Sequence, residues 1–459
     1  MDATITRHRL LYSLLAIERF GDRMWSIMVG FLVHEYCKNL NLPSNRYLAI
    51  FQLIPSIFLT IFLPVLGKKL TKCNRLNSLR WLTILQNTGV VLSAGIFLKV
   101  METDAEQYFD LILTILLIIE TITKIVSKAA GSVVLQKDWI VVIAESENPD
   151  GSFEKSLTKL NSSTTLIDQI ANCVSAIPTL ILWDATDIKT ICYFVVGYNV
   201  VGCFVELFII KKLANITPKL TKSAGESDDL IKKTEEENNN EKVSGFKIYY
   251  RHDLFVLGIV NSLLYFTVLG DNSVTRVYYL SNCVSRTVIS LAISLSAISG
   301  ILGMKFYKLL MKKYADSLKV TKIVSFFHWP VLWLCVISFY SPNSIFRPGK
   351  NFADDEMNLE EFCEDKKFTS SVILFMAGII LARFGLWAFD IASGQVFQER
   401  VVETERTVIA SWQTSFNTLN DILIGICVIL VDKNFHFGWH GIASTVVITL
   451  AHLWLQIRY

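Results

Sequence analysis

Long apolar stretches alternate with short polar ones along the whole chain, and the apolar stretches run close to 20 residues. That is the length an α-helix needs to cross a hydrocarbon core of roughly 30 Å. Read this way, the pattern predicts about twelve spans, centred near Met24, Ile57, Gly89, Leu117, Ile170, Gly197, Leu263, Ser294, Phe327, Ile379, Leu419 and Val447. Composition agrees. Over 459 residues, 52% are hydrophobic and only 19% charged, with a mean hydropathy of +0.42, which is too apolar for a soluble protein of this length. The expected fold is an all-α polytopic membrane protein. Arg7 and Arg9 lead into the first span with no small-residue cleavage pattern, so that span is expected to be retained.

The net charge of +3 matters less than where the charge lies. One alternating set of connections is basic: Arg7 and Arg9, then Lys68, Lys69, Lys72, Arg75 and Arg80, then Lys211 to Lys233, then Lys305 to Lys319. The other set, Lys99 to Gln107, Trp183 to Lys189 and Ala353 to Lys367, is short or acidic. The positive-inside rule puts the basic set and both termini in the cytosol. The Lys-, Glu-, Asn- and Ser-rich stretch from Ala214 to Ser244 reads as a flexible cytosolic linker between six spans and six. The expected organisation is therefore an N-lobe over 1–213, a linker over 214–249 and a C-lobe over 250–459. The sequons at Asn161 and Asn215 fall on the cytosolic side and are expected to be unused. Gly67-Lys68-Lys69-Leu70 and Gly303-Met304-Lys305-Phe306 occupy equivalent places in the two halves. That correspondence fits a duplicated, major-facilitator-like transporter whose lobes rock about a midplane site.

The first span, Leu10 to Tyr36, is interrupted by Glu18-Arg19-Phe20-Gly21-Asp22-Arg23-Met24-Trp25. An ionised group at bilayer depth costs on the order of 2.5–3.5 kcal/mol on insertion scales, so these four must face protein, water or one another. Two readings stand: a paired charge cluster that locks helices together, or a cation site at Asp22. Other polar residues at depth are Gln86, Asp168 with Gln169 and Asn172, Asn199 with Glu206, Asp271-Asn272-Ser273, Arg383, Asp390, and Asn420 with Asp421. Asn199 and Glu206 are two helical turns apart and so share a helix face. With Asp22 and Gln86 they would form an all-oxygen set suited to calcium, magnesium or manganese rather than zinc or copper. The alternative is a hydrogen-bonded network between helices. Gly270-Asp271-Asn272-Ser273 carries a helix-breaking signature inside the run from Leu254 to Leu280, either a site-bearing broken helix or a simple kink. Arg75, Asp138 and Glu403-Thr404-Glu405-Arg406 fall at cytosolic span ends, where opposite charges suit a gate closed by ion pairs, or are solvated loop charge.

No phosphate loop, nucleophile elbow, HExxH or nucleotide-binding signature is present, and the seven His are scattered, so no enzyme, cofactor or nucleic-acid partner is expected. The nine Cys form no CxxC pair. Cys37, Cys283 and Cys363 fall in exterior loops, which leaves open one disulfide among them.

These motifs resemble the ferroportins, iron exporters of the major-facilitator type. Gly21-Asp22-Arg23-Met24-Trp25 resembles the family's first-helix motif, Asp138-Trp139-Ile140-Val141-Val142 the segment after its fourth helix, and Ile167-Asp168-Gln169 its fifth-helix motif. Thr267-Val268-Leu269-Gly270, Ser296 to Gly303 and Ala382-Arg383-Phe384-Gly385-Leu386-Trp387 continue the match in order. The likeness covers nearly the whole chain and fails mainly in the two long loops. It implies twelve helices in two lobes, export of ferrous iron by alternating access coupled to proton movement, and one metal site in each lobe. The family's N-lobe pairs the aspartate matching Asp22 with a His where this chain has Ser26. Its C-lobe uses a Cys and a His where this chain has Ser273 and Ile424. Ser and Ile offer a weak ligand and none, so a metal would be held by oxygens: Asp22 and Asp168 in the N-lobe, and Asp271, Asn272 and Ser273, weakened, in the C-lobe. The hormone hepcidin contacts that Cys in vertebrate relatives, and Ser273 argues against such control here. Asp22, Gln86, Asn199 and Glu206 match a calcium site of the family's N-lobe. Arg75, Asp138 and Arg406 match its cytosolic gate, for which Glu405 is a further candidate, whereas Lys68 and Thr71 replace acidic residues.

The leading reading is a plasma-membrane exporter of divalent metal, most readily ferrous iron. The alternatives are an exporter of a harder ion such as manganese or calcium, and a transport-dead receptor or regulator that retains the fold.

Overall fold

The computed structural model describes residues 2–39, 44–100, 108–147, 153–222, 245–270, 272–284, 286–342, 344–346, 348–349, 370–430 and 436–459. The described residues are helical with no strand, and the fold is that of a major-facilitator-like membrane protein. Eight of the described helices are long and apolar enough to cross a membrane. The first helix lacks that composition for a plain reason: Glu18, Arg19, Asp22 and Arg23 lie in its middle.

Six helices or composite helices form the first half. These are α1 (Asp2–Asn39), α2 (Ser44–Lys72), α3 (Arg75–Val100), a continuous rod of α4 (Phe109–Ser127), a π-helical stretch (Lys128–Trp139) and α5 (Ile140–Glu147), then α6 (Phe153–Ala185) and α7 (Ile188–Ile216). A π-coil of this length is rare, since such windings are mostly single turns at functional sites. The small residues Ala129, Ala130, Gly131 and Ser132 admit the wider coil, and Val133, Val134 and Leu135 are buried behind it.

In sequence the second half contains Phe255–Leu263, Ser273–Ser281, Arg286–Tyr314, Ser317–Ser325, Trp329–Phe339, Ser370–Arg400, Glu403–Leu430 and Phe437–Arg458. The seventh span is interrupted as expected. The break is wider than Gly270 to Ser273, because helix ends at Leu263 and resumes only at Ser273. Val268 donates its backbone N–H to Ser444 Oγ at 3.1 Å, so the unwound backbone is satisfied by a neighbouring helix.

The chain divides into two compact units, Met1–His252 with Gln398–Ser415, and Asp253–Phe397 with Phe416–Tyr459. The first therefore takes in a segment from late in the sequence, which the simple split at residues 213 and 250 does not anticipate. The expected linker is also shorter at its start. Thr217 and Leu220 are buried, and Arg75 donates its backbone N–H to Lys222 O at 3.4 Å. The apolar Leu220 and the Pro218 turn dock this segment against the first unit instead of leaving it solvated.

Within the first unit α3 packs against α4 and α7, α1 against α6 and α7, and α2 against α4. Two apolar clusters share α1: Leu11, Leu14 and Leu15 join one, and Met24, Trp25 and Met28 join the other. The charged Glu18 to Arg23 stretch lies between them along the helix. On α7 the sequence divides by face. Asn199, Gly202 and Glu206 are buried, whereas Phe204 and Phe208 are 71% and 66% exposed, as expected for a helix whose apolar side meets lipid.

Cys283 is disulfide-bonded, which bears on the pairing left open among Cys37, Cys283 and Cys363. The side chain of Cys37 and all of Cys363 lie outside the described residues.

Candidate cation pocket and charged gate

The four oxygen-bearing residues singled out in the sequence converge. Asp22 on α1, Gln86 on α3, and Asn199 and Glu206 on α7 line one small cavity of about 20 Å³, together with Glu18 and Asn87. A space of that size holds one water or one small ion and no organic solute. Helix phase explains the convergence. Gln86 and Asn87 lie on the buried side of α3, and the seven-residue step from Asn199 to Glu206 keeps both on one side of α7.

Gly21 lets α7 come close. A Cβ there would lie 3.1 Å from Tyr198 Cε1, and the Tyr198 hydroxyl donates to Ile17 O at 3.1 Å. Gly89 does the same for α3 and α4, since its Cβ would fall 2.0 Å from Thr123 Oγ1.

The oxygens are partly engaged. Ser127 Oγ donates to Asp22 Oδ1 at 2.6 Å, and Asn87 Nδ2 donates to Glu206 Oε2 at 3.0 Å. The donors available to an ion are carboxylates and amide oxygens. Among the described residues no three His, Cys, Asp or Glu side chains gather into a metal cluster, so the amides are integral to any ion site here.

Asp168 does not share this wall. Its carboxylate faces Arg23 Nη2 at 3.4 Å and Arg19 Nε at 3.6 Å, and Arg19 Nε also meets Glu18 at 3.2 Å. The expectation that Asp22 and Asp168 act as joint ligands is therefore corrected: Asp168 neutralises arginines. Ser26, at the position of the family's His, is exposed and lies off the pocket wall.

Sequence reading missed Asn87, Glu120 and Lys128. Trp25 Nε1 donates to Glu120 Oε2 at 3.0 Å, and Lys128 directly follows Ser127, whose hydroxyl reaches Asp22. The signal was available, because charges at Glu120, Lys124 and Lys128 inside an apolar fourth span demand partners just as those of α1 do.

In the second unit the side chain of Asn272 is spent on the helix break. Its Nδ2 donates to Val268 O at 3.1 Å, and its Oδ1 accepts from Thr275 N at 2.9 Å. Both ends of the amide are thus engaged by the backbone of its own turn, where Asn272 acts as a cap. Asp271 and the side chain of Ser273 lie outside the described residues. Arg383 closes on the same turn, its Nη2 being 2.9 Å from where a Cβ on Gly270 would sit. Ile424 is buried and apolar.

The residues expected to form a gate also come together, apart from Glu405. Arg75 grips Asp138 through Nε at 2.6 Å and Nη2 at 3.2 Å, and its Nη2 meets Glu403 Oε1 at 2.5 Å. Arg406 completes the cluster at 3.7 Å from both Asp138 and Glu145. Arg75 and Asp138 are 4% and 3% exposed in their side chains, so this is no solvated pair. The acidic partner is Glu403 and not Glu405. Two residues correspond to about 200° of helix rotation, which turns Glu405 away from the face that Glu403 presents. Where the family's acid is replaced by Thr71, its hydroxyl bonds that of Thr407. Nearby, Gln398 Nε2 donates to Gln136 O at 2.7 Å, at the end of the π-helical stretch.

Comparison with known proteins agrees with this architecture. The profile of the Ferroportin1 (FPN1) family matches residues 6–448. Ferroportin of Mus musculus is 28% identical, with 97% of this chain and 89% of that protein covered, and solute carrier family 40 member 1 of Danio rerio is 27% identical, with 97% and 90% covered. Among solved structures, a bacterial homologue of the iron transporter ferroportin, in an outward-facing state with soaked iron, superposes with a TM-score of 0.76 at 16% identity over 98% of both chains, a likeness of fold. With the family profile matched over nearly its full length, the chain is a divergent member of the ferroportin family.

Proposed function

We propose that the protein is a plasma-membrane exporter of divalent metal, ferrous iron first, working by alternating access of two six-span lobes with both termini cytosolic and with coupling to proton movement. The observation that carries the reading is the family match over residues 6–448, joined to a buried, ion-sized cavity in the first unit. The relatives bear the names ferroportin and solute carrier family 40, and a structural neighbour is described as an iron transporter.

In this reading Asp22 is the principal ligand, with Gln86, Asn199 and Glu206 around it, and the same set serves regulatory calcium. The cluster of Arg75, Asp138, Glu403 and Arg406 acts as the cytosolic gate, which opens when those pairs part. The C-lobe, with Asn272 spent as a cap and Ile424 at the His position, contributes little to metal binding. Hepcidin-type control is not part of the proposal, given Ser273 at the Cys position.

One observation favours a second reading, a harder cargo such as manganese or calcium. The pocket offers oxygens alone, and Ser26 supplies no imidazole. Efflux of radiolabelled ferrous iron from proteoliposomes, with manganese and calcium as competitors, separates the two. Efflux of every ion equal to that of Asp22→Ala would overturn both in favour of a transport-dead receptor.

A further inference from the structure

Along α1 the residues that line the ion-sized cavity share one face: Glu18, then Asp22 one turn on, then Trp25. Trp25 ends the series and is 4% exposed, so it stands between the cavity and the apolar cluster that it joins with Met24, Met28 and Leu32. Its one polar atom, Nε1, donates to Glu120 Oε2 at 3.0 Å.

The two sides of α4 account for that contact. Leu111, Ile115, Ile118 and Ile122 recur at helical spacing and are exposed, as suits a side that meets lipid. Glu120, Thr123 and Ser127 recur at the same spacing on the opposite side. Thr123 lines the cavity and Ser127 Oγ donates to Asp22 Oδ1 at 2.6 Å, so this side of α4 is turned to α1 and the pocket. A carboxylate inside an apolar span is costly, and the one at Glu120 is spent on the indole of a pocket residue.

We propose that Glu120 is a positioning residue for the Asp22 pocket: by holding the Trp25 indole in the wall it keeps the cavity at the size of one small ion, and so sets which divalent ions the site accepts. The inference rests on the cation-site reading above and adds size selectivity to it. Hard divalent ions all take oxygen ligands, so a site separates them by cavity size, ligand number and flexibility. Here the spacing of the ligand-bearing helices is fixed by close approaches, of Gly21 to Tyr198 and of Gly89 to Thr123. An indole supplies a donor and no ligand oxygen, so what Trp25 gives the pocket is a boundary. Apolar packing against Met24 and Met28 has no preferred direction, whereas the bond to Glu120 fixes the rotation of the ring. A larger ion would have to break that bond to push the wall back.

The test uses the full chain in nanodiscs, titrated calorimetrically with Mg²⁺, Mn²⁺, Ca²⁺, Sr²⁺ and Ba²⁺, in order of increasing size, with melting followed in parallel. Wild type is compared with Glu120→Gln, Glu120→Leu, Trp25→Phe and Asp22→Asn. Gln keeps an acceptor oxygen for the indole, Leu removes it, and Phe removes the donor with part of the ring. Wild type is expected to prefer Ca²⁺ to Ba²⁺, with the preference kept in Glu120→Gln and reduced by about tenfold in both Glu120→Leu and Trp25→Phe as Sr²⁺ and Ba²⁺ gain. Trp25→Phe gives the same reading should Glu120→Leu fail to fold. A preference unchanged in these two variants, even with lower melting, overturns the inference, because the contact then supports the fold alone. A loss in Glu120→Gln as large as in Glu120→Leu overturns it too, since charge and not the bond would then be at work. Either result, with Asp22→Asn defective, leaves the pocket standing. Binding by none of the proteins, or binding that Asp22→Asn retains, overturns the pocket reading and this inference together.

Discussion

Arg75 and Glu403 are 328 residues apart in sequence, yet Nη2 of one lies 2.5 Å from Oε1 of the other. The contact binds the start of the Glu403–Leu430 helix into the first unit, where Asp138 receives the same guanidinium. Removing Arg75 would leave Asp138, whose side chain is 3% exposed, with only the longer contact to Arg406 at 3.7 Å, so Arg75→Ala is expected to cost about 3 kcal/mol, the lower end of the range for buried pairs broken from one side. Glu403→Gln should cost about 1 kcal/mol, since its carboxylate is 27% exposed and Asp138 remains with Arg75. Glu405→Gln should stay within about 0.5 kcal/mol of wild type. Denaturant unfolding of the three variants checks the order, and a larger loss from Glu405→Gln than from Glu403→Gln would contradict the assignment.

Asp22 and Asp168 are predicted to fail differently when neutralised. Asp22→Asn removes a pocket oxygen of full negative charge and should abolish ion binding while leaving the fold largely intact. Asp168→Asn leaves Arg19 and Arg23 short of a partner and should lower stability by about 1–3 kcal/mol, with ion binding retained. Calorimetric titration and melting of each variant read the two effects separately. The opposite pattern would make Asp168 the ligand and Asp22 the lock.

That contrast marks how far sequence reading reached. Convergence of Asp22, Gln86, Asn199 and Glu206 was legible because helix periodicity and the cost of polar groups in lipid leave few arrangements open. The role of Asp168 was not legible, because an aspartate that binds a cation and one that neutralises an arginine look alike until the arginines are located. Glu403 was confused with Glu405 for a similar reason: the run is charged throughout, and only helix phase against Arg75 distinguishes them. The π-helical stretch has no sequence signal beyond small residues, and its effect on where Ser127, Lys128 and Gly131 point could not be read from a 3.6-residue period.

Gly131 should tolerate no side chain. An added Cβ would meet Glu18 Oε1 at 2.6 Å and Arg19 Nη2 at 3.0 Å, in a layer where both groups are also held by charge. Gly131→Ala is therefore expected to destabilise by about 1–3 kcal/mol, the range for overpacking a close contact. Gly95 has nothing within 4 Å of its Cβ position, so Gly95→Ala in α3 should be neutral or gain up to about 1 kcal/mol from helix propensity. Melting temperatures of the two variants should move in opposite directions or differ by several degrees.

In the second unit, His328 and His452 form a buried pair, Nδ1 to Nε2 at 3.0 Å, with the Phe389 ring edge-on to His452 at 4.7 Å between centroids. They join the residue that precedes the Trp329–Phe339 helix to the Phe437–Arg458 helix. Replacing one ring leaves its partner buried without that bond, so His328→Leu or His452→Leu alone should cost about 1–3 kcal/mol. The double variant should cost less than the sum of the singles, because two apolar side chains of similar size then face each other with no polar atom stranded. A double-mutant cycle on unfolding free energies measures this, with an expected coupling of about 0.5–3 kcal/mol. Simple additivity would mean that the two imidazoles share a place in the fold without supporting each other.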